Sequence, residues 1–148
     1  MRWKEIRDVD CSVARTLSVV GDRWTLLILR DCFLGIRRFE LFQQSIGLSP
    51  YLLSNRLGKL RRHEILARRL YQKNPARYEY RLTERGHDLY PIIASLLGWG
   101  DRWMPGKQGK PFDLVHRPCG HKTTPTLTCS ECGGALHARE MTARARSS

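Results

Sequence analysis

Acidic residues are scarce in this chain. Its 148 residues hold 14 Asp and Glu against 26 Lys and Arg, for a formal charge of +12 and a pI of about 10.1. Such an imbalance points to a polyanionic partner, with a merely solvated basic surface as the plain alternative. Long apolar runs are missing as well. A run such as "LLIL" at 26–29 falls far short of the ~18 residues that a membrane span needs. The opening "MRWKEIRDVD" has charges throughout and no apolar stretch, so no signal peptide is expected and the chain is expected in the cytoplasm. No glycine-rich phosphate loop and no Ser–His–Asp or Cys–His set at motif spacing is visible, so the chain is not expected to be an enzyme. Asp22, Asp31 and Glu40 are accounted for as helix caps and helix surface.

What is present supports a folded domain with an appendage. Hydrophobic residues make up 41% of the chain, enough for a core. Five cysteines in a cytoplasmic protein suggest metal or redox chemistry more than a disulfide framework.

Helical signals dominate the first part. "SVARTLSVV" at 12–20 begins at Ser12, a capping type, and stops before Gly21. Asp22 can cap "RWTLLILRDCFL", where Trp24, Leu27, Ile28 and Cys32 share a face, and Gly35 closes it. "FELFQQSI" follows, with Phe39, Phe42 and Ile46 at helical spacing. Gly47-Leu48-Ser49-Pro50 turns the chain into "SPYLLSNRLGKLRRHE", with Ser49 as cap and Pro50 in the first turn. In that fourth helix Leu53, Leu57 and Leu60 form one apolar stripe. Tyr51, Asn55, Gly58 and Arg62 fall on the opposite side, flanked by Ser54 and Lys59.

After His63 the pattern loosens toward alternation. "ILARRLYQ" and "YEYRLT", separated by the turn Lys73-Asn74-Pro75-Ala76-Arg77, predict a β-hairpin with a basic tip. "TERGHDLYPIIASLLGWGDRW" predicts one long helix capped by Thr83 and kinked at Pro91. Helices followed by a two-stranded hairpin give the order of a winged helix–turn–helix, a mainly α fold with a small hairpin. The expected organisation is a DNA-binding and dimerising domain over 1–103, a linker over 104–111, a Cys/His module over 112–138 and a frayed tail over 139–148.

Charge concentrates where such a fold would meet DNA. Residues 1–103 carry nineteen basic and eleven acidic groups, a net of +8. Residues 56–81 alone hold nine basic groups against Glu64 and Glu79, a net of +7. A recognition helix enters the major groove by its N-terminal part, which puts Pro50 at the DNA and Ser49, Tyr51, Ser54 and Asn55 near base edges. Arg56, Lys59 and Arg62 suit phosphates, and Lys73 and Arg77 suit the backbone or the minor groove. The alternative is an RNA- or ribosome-associated basic binding protein. It is disfavoured because no aromatic stacking platform is apparent.

The stretch from Cys11 to Trp103 resembles the HxlR-type winged helix–turn–helix regulators. The resemblance is carried by Cys11, "GDRWTLLIL", "RRFELF", "LSPYLLSNRLGKL", "ARYEYRLTERG" and the "WG" at 99–100. It implies a transcriptional regulator, more often a repressor, that binds a palindromic operator on double-stranded DNA as a homodimer. It further implies that Cys11–Leu17 and Thr83–Trp103 form the dimer interface. Leu89, Ile92, Ile93, Leu96, Leu97 and Trp99 agree, offering more apolar surface than one small domain needs. The resemblance also makes Cys11 a possible redox sensor. Its place before a helix favours a thiolate, Asp8 and Asp10 oppose one, and an inert packed thiol is the alternative. The effector is not legible.

"HRPCGHKTTPTLTCSECGG" at 116–134 is the other informative stretch. Cys129-x-x-Cys132-Gly133 has the form of a zinc knuckle, and His116-x-x-Cys119-Gly120 repeats it with histidine first. The expectation is a small ribbon holding structural Zn2+ by His116, Cys119, Cys129 and Cys132, with His121 as the competing fourth ligand. Unligated thiols or a Cys129–Cys132 disulfide are the other readings.

Overall fold

The computed structural model describes residues 5–146. Met1–Lys4, counted within the first domain, and Ser147–Ser148 of the expected tail lie outside the described residues. The elements are α1 (Ser12–Val20), α2 (Arg23–Phe33), α3 (Phe39–Ile46), α4 (Pro50–Arg62), β1 (Leu66–Gln72), β2 (Arg77–Leu82), α5 (Glu84–His87), α6 (Tyr90–Trp103), β3 (Val115–His116) and β4 (His121–Lys122). Short 3-10 turns occupy Ile6–Asp8 and Ala138–Glu140.

Two compact units divide the chain, residues 1–93 and 94–148. The division falls inside α6 rather than at the expected 103/104 step. The reason lies within the second unit, where Leu97, Asp101 and Arg102 of α6 line a cavity with Phe112, Leu114 and Thr123. The second half of α6 thus falls in the same unit as the C-terminal segment.

The core of the first unit is built by α2, α3, α4 and the start of the hairpin. Ile28, Leu29, Phe42, Leu48, Ile65 and Leu66 close around the stripe of Leu53, Leu57 and Leu60, each of the three 0% exposed. Burying each leucine contributes roughly 1.5–3 kcal/mol. Trp24 and Cys32 pack against this core only partly buried, and Leu29 takes a buried place that the expected face of α2 omitted. Burial, and after it the charge of Asp31, pushes the Cys32 thiol up to about 12, so that thiol stays protonated and inert at neutral pH.

Asp31 corrects the sequence reading most sharply. Expected at the helix surface, it is 0% exposed, and Arg30 clasps only one of its oxygens, by Nε at 2.9 Å and a terminal nitrogen at 2.6 Å. Its other oxygen has no hydrogen-bond partner among the described residues.

Helix ends differ from expectation in two places. Cys11, not Ser12, is the N-cap of α1, and its side chain makes no capping bond. The expected long helix is two, because Asp88 and Leu89 break it just before Pro91. Proline lacks the N–H that would continue the ladder and crowds the carbonyl four residues back, so the chain restarts with Pro91 in the first turn of α6. Thr83 still caps α5, its hydroxyl accepting from the Gly86 amide at 3.1 Å.

Candidate nucleic-acid interface

The turn from α3 to α4 is fixed locally. Gly47 ends α3 in the left-handed region, Leu48 is buried, and Ser49 Oγ accepts from the Leu52 amide at 3.3 Å. Ser49 is thus engaged as the cap of α4, with Pro50 at the first helical position. With the three leucines inward, Tyr51, Ser54, Asn55 and Arg62 are exposed, Tyr51 to 76%. The side predicted to face a groove is open.

Arg56 does not join that face. Its Nε donates to Asp22 Oδ1 at 3.1 Å, and both side chains are largely covered. Asp22 accepts at the same time from the Thr25 amide at 3.0 Å and the Thr25 hydroxyl at 2.5 Å. Burial alone would raise the Asp22 carboxyl. Hydrogen bonds from Thr25 and the charges of Arg56 and Lys59 outweigh it and hold the carboxyl below its ordinary value. The N-cap of α2 and α4 are therefore one electrostatic unit, in which Arg56 is held by Asp22.

Lys59 is half-buried, and burial lowers its pKa against the pull of Asp22. His63 is lowered too, by burial first and then by Lys59, Arg62, Arg85 and Arg7. A histidine discouraged from protonating by four cations marks where positive potential is concentrated, at the C-terminal end of α4.

The wing is a two-stranded antiparallel hairpin pairing Leu66 with Leu82 through Leu70 with Tyr78, with an irregularity between Leu70 and Gln72. The Tyr80 amide donates to the Arg37 carbonyl at 2.7 Å, fastening the wing to the segment before α3. Arg68 lies 4.1 Å over the Tyr78 ring and Arg38 4.4 Å over Tyr71. Lys73 and Arg77 flank the exposed tip as expected, around a cis Asn74–Pro75 bond.

One feature escaped the sequence reading. Arg61, Arg62 and Arg68 line a shallow hollow of about 450 Å³ between α4 and β1, with Gly58, Leu66 and Ala67. Three guanidinium-bearing side chains around one concavity form a cradle suited to a phosphate group. Arg61 and Arg68 appeared in the sequence only as part of a charge run, because the crossing of α4 and β1 is not a local signal.

Cys11 is exposed at the head of α1. In the second unit His116 Nδ1 stands 3.3 Å from Cys119 Sγ, and the Glu131 amide donates to Cys129 Sγ at 3.4 Å. His121 lies directly across the β3–β4 ladder from His116. Among the described residues, no three His, Cys, Asp or Glu side chains stand together as a metal-binding group. No helix among them is long and apolar enough to cross a membrane.

A polar recognition helix backed by a leucine stripe, with a basic wing beside it, defines a DNA-binding winged helix–turn–helix regulator. Comparison with known proteins places it more closely. Residues 19–108 match the model of the HxlR-like helix-turn-helix family, and the chain belongs to that family. An uncharacterized HTH-type transcriptional regulator of Mycobacterium tuberculosis is 44% identical over 131 residues, 88% of this chain and 83% of the relative. The crystal structure of PA1607, a candidate transcription factor, is similar with a TM-score of 0.80 at 32% identity, covering 93% of this chain and 96% of that one. The redox regulator HypR in its reduced form matches with a TM-score of 0.59 at 30% identity, over 62% of this chain and 92% of that one. The family acts in transcription regulation through DNA, and its members are not enzymes.

Proposed function

We propose that this protein is a homodimeric repressor that sets two copies of α4 into successive major grooves of a palindromic operator. The observation that carries the reading is the side of α4 opposite its buried leucines, where Tyr51, Ser54, Asn55 and Arg62 are free to touch DNA. Asn55 has both a donor and an acceptor for an adenine edge, while Arg62, Lys73, Arg77 and the Arg61–Arg68 hollow serve phosphates. Sequence discrimination then rests on few groups, and affinity on many.

Pairing is supported by apolar surface. Val13 and Leu17 on α1 are exposed, and so are Ile92, Leu96, Trp99 and Trp103 on α6. Leu89 and Ile93, counted with them in the sequence, instead pack against the monomer's own core. Exposed side chains of that size suit a partner surface. Two-fold symmetry of the protein calls for a two-fold operator, and occupancy of such a site obstructs transcription. Cys11, exposed at the positive end of α1, is the thiol through which an oxidant would act on such a dimer. Similarity to the redox regulator HypR supports that role.

The test is to capture genomic duplex fragments with the purified protein at low and at near-physiological salt, and to sequence them. One two-fold-symmetric site should survive the higher salt, and Asn55→Ala should weaken it by about 1–3 kcal/mol. Uniform binding that vanishes with salt refutes the reading.

A further inference from the structure

The C-terminal segment holds its shape with very little core. Between residues 104 and 146 none is buried, and only Phe112, Leu114 and Cys129 are even half-covered. A module this small needs a staple other than hydrophobic burial.

Two turns of the same construction stand in it. In the first, the Gly120 amide donates to the His116 carbonyl at 2.7 Å; in the second, the Gly133 amide donates to the Cys129 carbonyl at 2.9 Å. Both glycines have φ of +72°, a conformation that side-chain-bearing residues rarely adopt. Each turn carries a soft donor at its first and fourth positions: His116 and Cys119, then Cys129 and Cys132. In the first turn His116 Nδ1 already stands 3.3 Å from Cys119 Sγ. An amide directed at Cys129 Sγ completes the resemblance between this turn and a metal knuckle.

We propose that this segment is a structural zinc site in which one Zn2+ is held by His116 Nδ1 and by the Sγ atoms of Cys119, Cys129 and Cys132. Binding converts three thiols to thiolates and releases their protons to solvent, while the imidazole binds neutral, so the site carries one net negative charge. With four protein ligands no position is open to substrate, and the ion serves only to fold the module. The described structure holds the donors as two separate pairs, and the ion draws them together. Each turn is closed by its own short hairpin, the β3–β4 ladder around the first and the Thr128–Ala135 bridge around the second, so the segment 123–127 is what joins them. His116 is chosen over His121 because its Nδ1 already faces Cys119 Sγ. The proposal is independent of the DNA-binding reading.

The full-length protein, purified without chelator and desalted, should contain one zinc ion per chain by elemental mass spectrometry. Replacement by Co2+ should give the visible bands of a tetrahedral thiolate complex in the unmutated chain, a readout that does not depend on any variant folding. Cys129→Ser and Cys132→Ser should lose the metal. His116→Ala should weaken binding by at least about 100-fold, the upper end of what loss of even an outer-sphere partner costs, and His121→Ala should keep full occupancy. Chelation should open residues 112–138 to trypsin while the winged unit stays resistant. A metal-free protein with three alkylatable module thiols, or with a Cys129–Cys132 disulfide by peptide mass, overturns the proposal. Loss of metal in His121→Ala with retention in His116→Ala overturns the ligand set.

Discussion

Replacing Asp22 by alanine removes three interactions at once, and the structure fixes what each contributes. The first is the N-cap bond to the Thr25 amide, whose loss costs about 1 kcal/mol. The second is the bond to the Thr25 hydroxyl. Thr25 is 0% exposed, so that hydroxyl is left buried without an acceptor, at a cost of about 1–2 kcal/mol. The third is the pair with Arg56, whose side chains are 22% and 30% exposed and which contributes roughly 0.5 kcal/mol. These share one carboxylate and are not strictly additive, so the expected loss is about 2–3 kcal/mol. Urea unfolding at fixed protein concentration measures it, since self-association would otherwise shift the midpoint. Adding Thr25→Val to Asp22→Ala should recover part of the loss, because it removes the stranded hydroxyl. A loss under about 1 kcal/mol, or no recovery in the double variant, refutes the reasoning. The same carboxyl sets an acid limb. Its folded pKa is depressed, so its contribution is present above the ordinary carboxyl value of 3.8 and lost as pH falls through the lower folded value. The stability difference between the parent and Asp22→Asn should therefore be constant above about pH 5 and shrink below it.

Three further outcomes follow from individual contacts. Gly86→Ala would put a Cβ 2.3 Å from the Ile65 carbonyl oxygen and 2.9 Å from a Leu82 methyl; thermal and urea unfolding should show a loss of at least about 2 kcal/mol. Glu64 sits at φ +56° between α4 and β1, where a side chain costs about 1–2 kcal/mol, so Glu64→Gly should stabilise by up to about 1 kcal/mol despite losing a solvent-exposed pair with Arg85. Lys73→Ala and Arg77→Ala should each weaken DNA binding about equally on all sequences. Each should also reduce the slope of log affinity against log salt by about 0.9 in binding titrations, and an unchanged slope would remove the wing tip from the interface.

The parts of this fold that were legible in the sequence are those fixed by neighbours along the chain. The leucine stripe, the Ser49-Pro50 start of α4 and the basic hairpin tip all appear where periodicity and turn chemistry put them. Illegible features were made by crossings. Asp31 carries the composition of a surface residue, and only the packing of α2 against its neighbours encloses it. Asp22 and Arg56 are 34 positions apart, so neither announces the other. The arginine hollow needs α4 and β1 side by side. Spacing within each knuckle, by contrast, is local and visible.

Within α4 the wheel itself could have sorted the cations more finely. At 100° per residue, Arg56 lies only about 70° from the centre of the leucine stripe, while Tyr51, Asn55 and Arg62 lie about 150–170° away. A flank position lets a guanidinium reach back over the protein, and Arg56 does so toward Asp22. Arg61, on the other flank, lines the hollow beside β1. Only residues opposite the stripe are committed to whatever lies outside. Charge marked Arg56 and Arg62 alike for phosphates; angle separates the flank position that reaches back to Asp22 from the one that faces outward.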